Sequence, residues 1–503
     1  MSAPPQVPGS AGDKAVDEAV DATRTVVVPG LWAVVGFLVF VEITSGILQG
    51  YYTPIFTDIA DHLGIAEGDV NWFEAAQLML SALAVPLLCR LGDLWGHRNV
   101  LLVSTAITAA GSWILAFSPG FTTFLVGWAL QGAYVVWLPL EVAIVHRRTA
   151  GSGRQGVLTR RAAGFLVAAL ELGVIVGALT SGALVEATSM TTLLTLPAIA
   201  VSICFVVIWF GIERAPGESS GTYDYAGLGL LTVVLGLVMA GLVLVRLEGV
   251  GSPWPWLLLL AGAVALAGFV RFEAAQAEPL IDVRLFATAG QWPVQLTAFL
   301  FGMSVLGAQI PLSTFARTDP DVTGYGLGAD AGFVSTLVGV YVLTMVVGAL
   351  LLPLASRVFT PRGALVAALL LVSLGYGLFL PFHDSTAQTL TNMAVAGVGS
   401  GMLVAALPAA AAAAAPPDRT GIAAGMTNAT KTVGGAIASA VFAIALASTG
   451  SLDEPGLGQA PLSGYLTVWA VCSVSALVGA LALLAVRAAG RSPAGSEAPP
   501  AAR

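Results

Sequence analysis

Apolar residues occur along this chain in long runs separated by short polar stretches, with neither a strand alternation nor an amphipathic helical stripe. A helix of roughly 20 apolar residues crosses about 30 Å of hydrocarbon. The runs therefore predict spans at 31–50, 73–89, 100–117, 121–145, 164–184, 192–210 and 226–245. A second set follows at 256–270, 293–315, 332–354, 364–380, 390–409, 422–447 and 465–486. Closed barrels would need alternating strands, which are absent, so the spans are helices. The expected fold class is an all-α polytopic membrane protein of about fourteen spans.

The polar stretch that most shapes this order is Cys89-Arg90-Leu91-Gly92-Asp93-Leu94-Trp95-Gly96-His97-Arg98, between spans two and three. It reads as a tight cytoplasmic hinge that turns the chain back, with glycines supplying backbone freedom. Two five-residue stretches repeat: Pro86-Leu-Leu-Cys-Arg90 ends span two, and Pro353-Leu-Ala-Ser-Arg357 ends span ten. Their separation fits two related six-helix halves, 29–214 and 291–486, with a linker and two inserted helices at 215–290. In that linker the polar stretch 272–291, with Glu278-Pro279-Leu280 and Arg284-Leu285-Phe286, joins the insert to the second half.

Composition agrees with this. Of 503 residues 57% are hydrophobic and only 10% charged, where soluble domains carry about a quarter. Neither a soluble partner nor a nucleic acid is implied. The net charge of −8 says little, because orientation follows from where Lys and Arg fall. With the N-terminus inside, only Arg246 and Arg317 fall outside, Lys431 falls within a span, and the other basic residues lie inside. The densest group, His146, Arg147, Arg148, Arg154, Arg160 and Arg161, falls between spans four and five. Residues 1–28 lack the pattern of a cleavable signal and read as a disordered cytoplasmic tail, as do 487–503. Arginine greatly outnumbers lysine, present only at Lys14 and Lys431, which suggests a GC-rich genome and a bacterial plasma membrane. Cys89, Cys204 and Cys472 lack disulfide or zinc spacing and read as free thiols.

Function must then reside in ionisable groups at membrane depth. Each costs about 2.5–3.5 kcal/mol at a helix centre on insertion scales, so such groups face a cavity or a partner. Glu42 in span one and Glu171 in span five fall near the midplane, Glu141 in span four nearer the inside, and Lys431 in span thirteen near the middle or inside it. Each reads either as a paired structural group or as part of a proton relay, since a carboxyl group in low dielectric favours its neutral form and exchanges protons as its exposure alternates. Glu74, at the outer mouth of span two, reads as a solvated end charge. The pairs Gly173/Gly177 and Gly397/Gly401 have the spacing of close helix contacts, and the alanines at 409–415 that of a packed helix end.

The hinge resembles the loop between the second and third helices of the major facilitator superfamily: Asp93, Gly96 and Arg98 occupy its Asp, Gly and Arg places, and Cys89 replaces its opening Gly. Further matches resemble the fourteen-span drug:proton antiporter branch. Glu42 and Thr44 are similar to its acid-x-Thr pattern, with Glu for Asp and the following Pro displaced to Pro54. Gly173, Gly177 and Gly182 match its antiporter glycines, with Ala178 in place of the central Pro and Ser181 in place of a Gly. Leu130-Gln131-Gly132 matches span four, with Trp128 in place of the intramembrane Arg. Asn428, Lys431, Gly434 and Gly435 are similar to the penultimate span, with Lys for Arg. The resemblance implies two six-helix bundles plus two inserted helices, and a gating loop at Asp93, Gly96 and Arg98. Asp93 would pair with the hinge arginines and with the N-terminal end of span thirteen near Asp418.

The resulting expectation is a proton-coupled exporter of lipophilic small molecules. Glu42, Glu171 and Glu141 are its proton-coupling candidates, and Gln49, Tyr52, Gln131, Tyr134 and Lys431 its cavity candidates. The partners are a small molecule, protons and the bilayer; the chain is expected to be a monomer, with no metal and no cofactor. An importer or facilitator, and a non-transporting sensor on the same fold, are the alternatives. An enzyme is disfavoured because His62, His97, His146 and His383 lie outside the apolar runs, without HExxH spacing or a Ser/His/Asp grouping.

Overall fold

The computed structural model describes residues 31–150, 154–215, 224–276, 279–416, 420–447 and 460–489. The two expected tails fall outside it apart from a few flanking residues, and so do Lys14, Glu278 and Asp418; no side chain is described for Arg160 or Arg487. The first half of the chain forms α1 (Leu31–Val35), α2 (Leu38–Tyr51), α3 (Phe56–Leu63), α4 (Asn71–Trp95), α5 (His97–Ala116), α6 (Phe121–Gln131), α7 (Trp137–Arg148), α8 (Gln155–Leu184) and α9 (Met190–Gly211). Next come α10 (Tyr225–Glu248) and α11 (Pro253–Ala275). The second half forms α12 (Trp292–Val305), α13 (Gln309–Arg317), α14 (Ala331–Leu378), α15 (Thr386–Ala413), α16 (Thr420–Leu446) and α17 (Leu462–Ala489).

Among the described residues, 12 helices are long and apolar enough to cross a membrane. One of them, α14, has 48 residues, about 72 Å at helical rise and more than twice the hydrocarbon thickness. It breaks at Thr360 (φ 72, ψ 159). The first predicted span is also broken, between α1 and α2, where Gly36 has φ 52. The carbonyls freed at that break are not left bare, since Nη1 of Arg148 donates to the oxygens of Val34 (2.7 Å) and Val35 (3.2 Å). The same guanidinium grips Glu213 beyond α9 through Nε (2.7 Å) and Nη2 (2.5 Å).

Arg148 thereby holds Glu213 below the usual carboxylate range. A depressed acid stabilises the fold fully above its ordinary value, and the contribution disappears as pH falls through the depressed one. The melting-temperature gap between wild type and Glu213→Gln should therefore close as the pH is lowered below the ordinary glutamate range.

Of the hydrophobic cores among the described residues, the two largest each belong to one end of the chain. One draws on residues from Leu285 to Leu483; the other, around Trp137 and Val100, draws only on the first half. Helix crossings in both halves are made by glycines. A Cβ on Gly46 of α2 would lie 1.9 Å from the Leu170 carbonyl oxygen of α8, and one on Gly173 of α8 would lie 2.3 Å from that of Ile43. In the second half a Cβ on Gly302 of α12 would lie 1.9 Å from the Lys431 carbonyl oxygen of α16, and one on Gly434 of α16 would lie 2.2 Å from that of Phe299. First and fifth helices thus cross alike in each half, and Gly397 and Gly401 of α15 do the same against α14. The glycine pairs read from the sequence as packing surfaces are packing surfaces.

The hinge differs from its expected form. Span two does not end at Cys89; α4 continues as helix through Asp93 to Trp95, and Gly96 alone (φ 91, ψ 129) makes the turn into α5. Charged residues are compatible with a helix outside hydrocarbon, so a polar stretch in the sequence does not mark the end of the helix. A Cβ at Gly92 would meet Cδ2 of Leu140 at 2.8 Å, which shows how closely α4 and α7 approach. Thr360 occupies the corresponding turn after the second Pro-x-x-x-Arg repeat. It is the one non-glycine at positive φ among the described residues, a conformation that costs a β-branched side chain about 1–3 kcal/mol. Thr360→Gly should raise the thermal stability of the purified protein, by up to about 1 kcal/mol after the entropy of the added glycine is subtracted.

Candidate functional site

Glu42 of α2 and Glu141 of α7 are both fully buried. Their carboxyl groups face one another, and no hydrogen bond of good geometry reaches any of the four oxygens among the described residues. Glu141 is held there by an irregular span: α6 gives way to a 3-10 stretch, Gly132–Val136, and helix resumes at Trp137 with Pro139 in its first turn. Thr44 does not join the pair; its hydroxyl donates back to the Phe40 carbonyl (2.9 Å). Gln49 lies seven residues past Glu42, on the same side of α2 and opposite Phe40, and is exposed.

A second charged cluster crosses between the halves. Glu171 of α8 and Lys431 of α16 are half-buried and attract one another. Tyr341 of α14 stands near Glu171, and its hydroxyl and that of Ser400 approach without a hydrogen bond of good geometry. The backbone of Lys431 is fixed by its contact with Gly302.

The remaining cavity candidates belong to the interior of the first half. Gln131 donates from Nε2 to the Tyr52 hydroxyl (2.8 Å) and to Ser112 (2.9 Å). Tyr52 packs edge-on against Trp128 (4.6 Å), which also contacts Phe56, Phe73 and Phe124. Aromatic packing fills the place where the resemblance has an arginine. Tyr134 is buried, and Glu74 lies near enough to act on it electrostatically. Glu74 is accordingly half-buried in the first turn of α4 and is not the solvated end charge its position suggested.

At the hinge, Asp93 pairs with His97 (3.3 Å). Arg98 is buried and turned away from Asp93: its Nη2 donates to the Trp209 carbonyl (2.6 Å), and its guanidinium lies 5.7 Å from the Trp209 ring centre. It therefore closes the C-terminal end of α9. Of the two hinge arginines expected to pair with Asp93, Arg98 is engaged at Trp209, and the expected contact near Asp418 lies outside the described residues.

Sequence reasoning passed over a group at the end of the molecule opposite the hinge. The two arginines that break the positive-inside pattern both have acid partners there: Arg246 with Asp69 (3.4 Å) and Arg317 with Asp58 (3.0 Å). Their place on the minority side was the available signal. Among the described residues, no group of three or more His, Cys, Asp or Glu is placed to hold a metal ion.

Comparison with known proteins follows the same lines. A model of the Major Facilitator Superfamily matches residues 38–224 and 294–503. The chain is 25% identical over 450 residues to a probable actinorhodin transporter of Streptomyces coelicolor, covering 84% of this chain and 75% of the relative. It is also 25% identical to a tetracenomycin C resistance and export protein of Streptomyces glaucescens, covering 84% and 76%. Among solved structures, a peptide transporter POT in complex with sulfate superposes with a TM-score of 0.64 at 15% identity, covering 92% of this chain and 96% of that one.

Proposed function

The chain belongs to the Major Facilitator Superfamily, and from this premise of a multi-pass transporter of small molecules, not an enzyme, we propose that it exports lipophilic compounds in exchange for protons. The observation that carries this reading is the buried Glu42–Glu141 pair. Two ionised carboxylates facing one another in a dry interior repel, whereas one proton between them turns repulsion into an O–H···O bond. A site built this way takes up a proton when sealed and gives it up when water or a cationic ligand enters. The name of the Streptomyces glaucescens relative, a resistance and export protein, supports the outward direction.

In this reading α1 and α2 make one span and the two parts of α14 make two, which brings the twelve long helices to fourteen. Bundles 29–214 and 291–486 rock about a central cavity, α10 and α11 are the inserted pair, and both termini are cytoplasmic in a plasma membrane. Glu171 and Lys431 attract across the cavity, so a substrate or a proton that neutralises either one alters the balance between the halves. Gln49 offers a polar contact from α2, while Tyr52, Gln131 and Tyr134 shape the wall. Asp93, Gly96 and Arg98 form the gating loop, in which Asp93 is exposed enough to change partners. The protein acts as a monomer.

Proteoliposomes loaded with ethidium, a lipophilic cation, test the direction. Under an imposed pH gradient the dye should move against the protons and should stop when an ionophore collapses the gradient. Movement with the protons would indicate an importer, and no flux under either gradient a sensor.

A further inference from the structure

We propose that Glu67 is a proton-binding gate residue at the end of the molecule opposite the hinge, taking up a proton as that end closes around Arg317. The inference rests on the alternating-access reading above and adds a second proton site to it.

The halves are clasped at this end. Arg317, closing α13, donates from Nη2 to Oδ1 of Asp58 (3.0 Å) and from Nη1 to the Pro54 carbonyl (3.5 Å). Ser313 donates to the Thr53 carbonyl (2.5 Å), Thr53 to Oε1 of Gln309 (3.4 Å), and Ser335 of α14 to the Ala178 carbonyl (2.7 Å). Each of these contacts joins the first half of the chain to the second.

Glu67 stands beside the clasp, heading the 3-10 turn Glu67–Val70 that leads into α4. It is 6% exposed, and its Oε2 has no hydrogen-bond partner among the described residues. The groups facing it come from every side. Helix α3 brings Thr57 and Asp61, α13 brings Arg317, the 318–330 loop brings Tyr325, and α17 brings Tyr465. The neighbouring Asp69 is already paired with Arg246 (3.4 Å). Helix α16 touches the turn through Leu446 against Gly68 and has no ionisable side chain there.

Charge accounting decides the role. The single positive charge of Arg317 is engaged by Asp58, and Asp61 adds negative charge near Glu67. An ionised Glu67 in the closed end would sit out of water beside a second acid, with the Thr57 hydroxyl as its nearby neutral donor, a cost that one proton removes. Opening lets water reach the carboxyl, and the proton leaves to the outer solution. The closed form thus binds one more proton than the open one, so acid favours closure and base favours opening. The proton leaves to the outer solution and returns from it, so Glu67 carries none across; it sets how readily that end closes once substrate has left.

The test places spin labels at Ser189→Cys and Val322→Cys, one on each half at this end, in full-length protein with the partly exposed Cys89 changed to serine. Distances are measured in lipid nanodiscs between about pH 5 and pH 9. The open-to-closed ratio should rise with pH, approaching about tenfold per unit for one linked proton. Glu67→Gln should take about one proton, or tenfold per unit, out of that dependence and shift the end toward closed; Glu67→Asp should keep the wild-type slope; Arg317→Gln should populate the open form at every pH. A slope as steep in Glu67→Gln as in wild type, or none in wild type, would overturn the proposal. If ethidium flux is absent while the distances respond as expected, the export reading fails and the gate stands. If flux is proton-coupled while Glu67→Gln leaves the distances unchanged, the reverse holds.

Discussion

Replacing Glu42 with Gln should abolish proton-driven dye efflux while leaving the protein folded, and Glu141→Gln should do the same. Each substitution keeps the shape of the side chain and removes its ability to ionise. If the two carboxyl groups share one proton, they act as a unit. The double variant should then lose no more activity than either single one, a non-additivity that independent sites would not show. A loss of at least about tenfold, or 1.4 kcal/mol, is the floor for such a unit, because an uncoupled carrier still runs downhill but cannot be driven. Stability should stay level, since the amide N–H takes over the hydrogen bond that the shared proton supplies. The check is ethidium efflux under an imposed pH gradient, beside a melting curve for each variant.

The second large effect concerns the glycine crossings that hold Lys431. A methyl group at Gly302 would lie 1.9 Å from the Lys431 carbonyl oxygen, a backbone atom that cannot swing aside. The helices must separate, at about 1–3 kcal/mol for alanine and more for valine. Ordinarily Gly→Ala within a helix stabilises by up to about 1 kcal/mol, and Gly236 of α10, with nothing within 4 Å of its would-be Cβ, should behave that way. Opposite signs for Gly302→Ala and Gly236→Ala, read from melting temperatures in the same detergent, are the expected outcome. Gly302→Val should also lower the yield of folded protein sharply.

The hydropathy of the chain made most of the helices legible, because losing water is a property of each run by itself. It did not reveal where a helix continues beyond the hydrocarbon. Arg90 and Asp93 looked like a loop, yet α4 runs through them until the backbone of Gly96 turns. Nor did it separate the two parts of α14, which meet at one strained residue, Thr360. Buried acids within the runs stood out as costly, and Glu42 and Glu141 were found on that ground, but their facing one another depends on how α2 and α7 cross. Glu67 was invisible for the opposite reason. An acid between two spans is expected to be solvated, and only the clasp around Arg317 takes it out of water.

The central claim is that exchange of substrate for protons runs through the Glu42–Glu141 pair. The most direct measurement is the proton released by purified, weakly buffered protein when a lipophilic cation such as ethidium is added. Wild type should release protons in proportion to the dye bound, and the Glu42→Gln/Glu141→Gln protein should bind dye and release none from this pair. Equal release from both would contradict the claim.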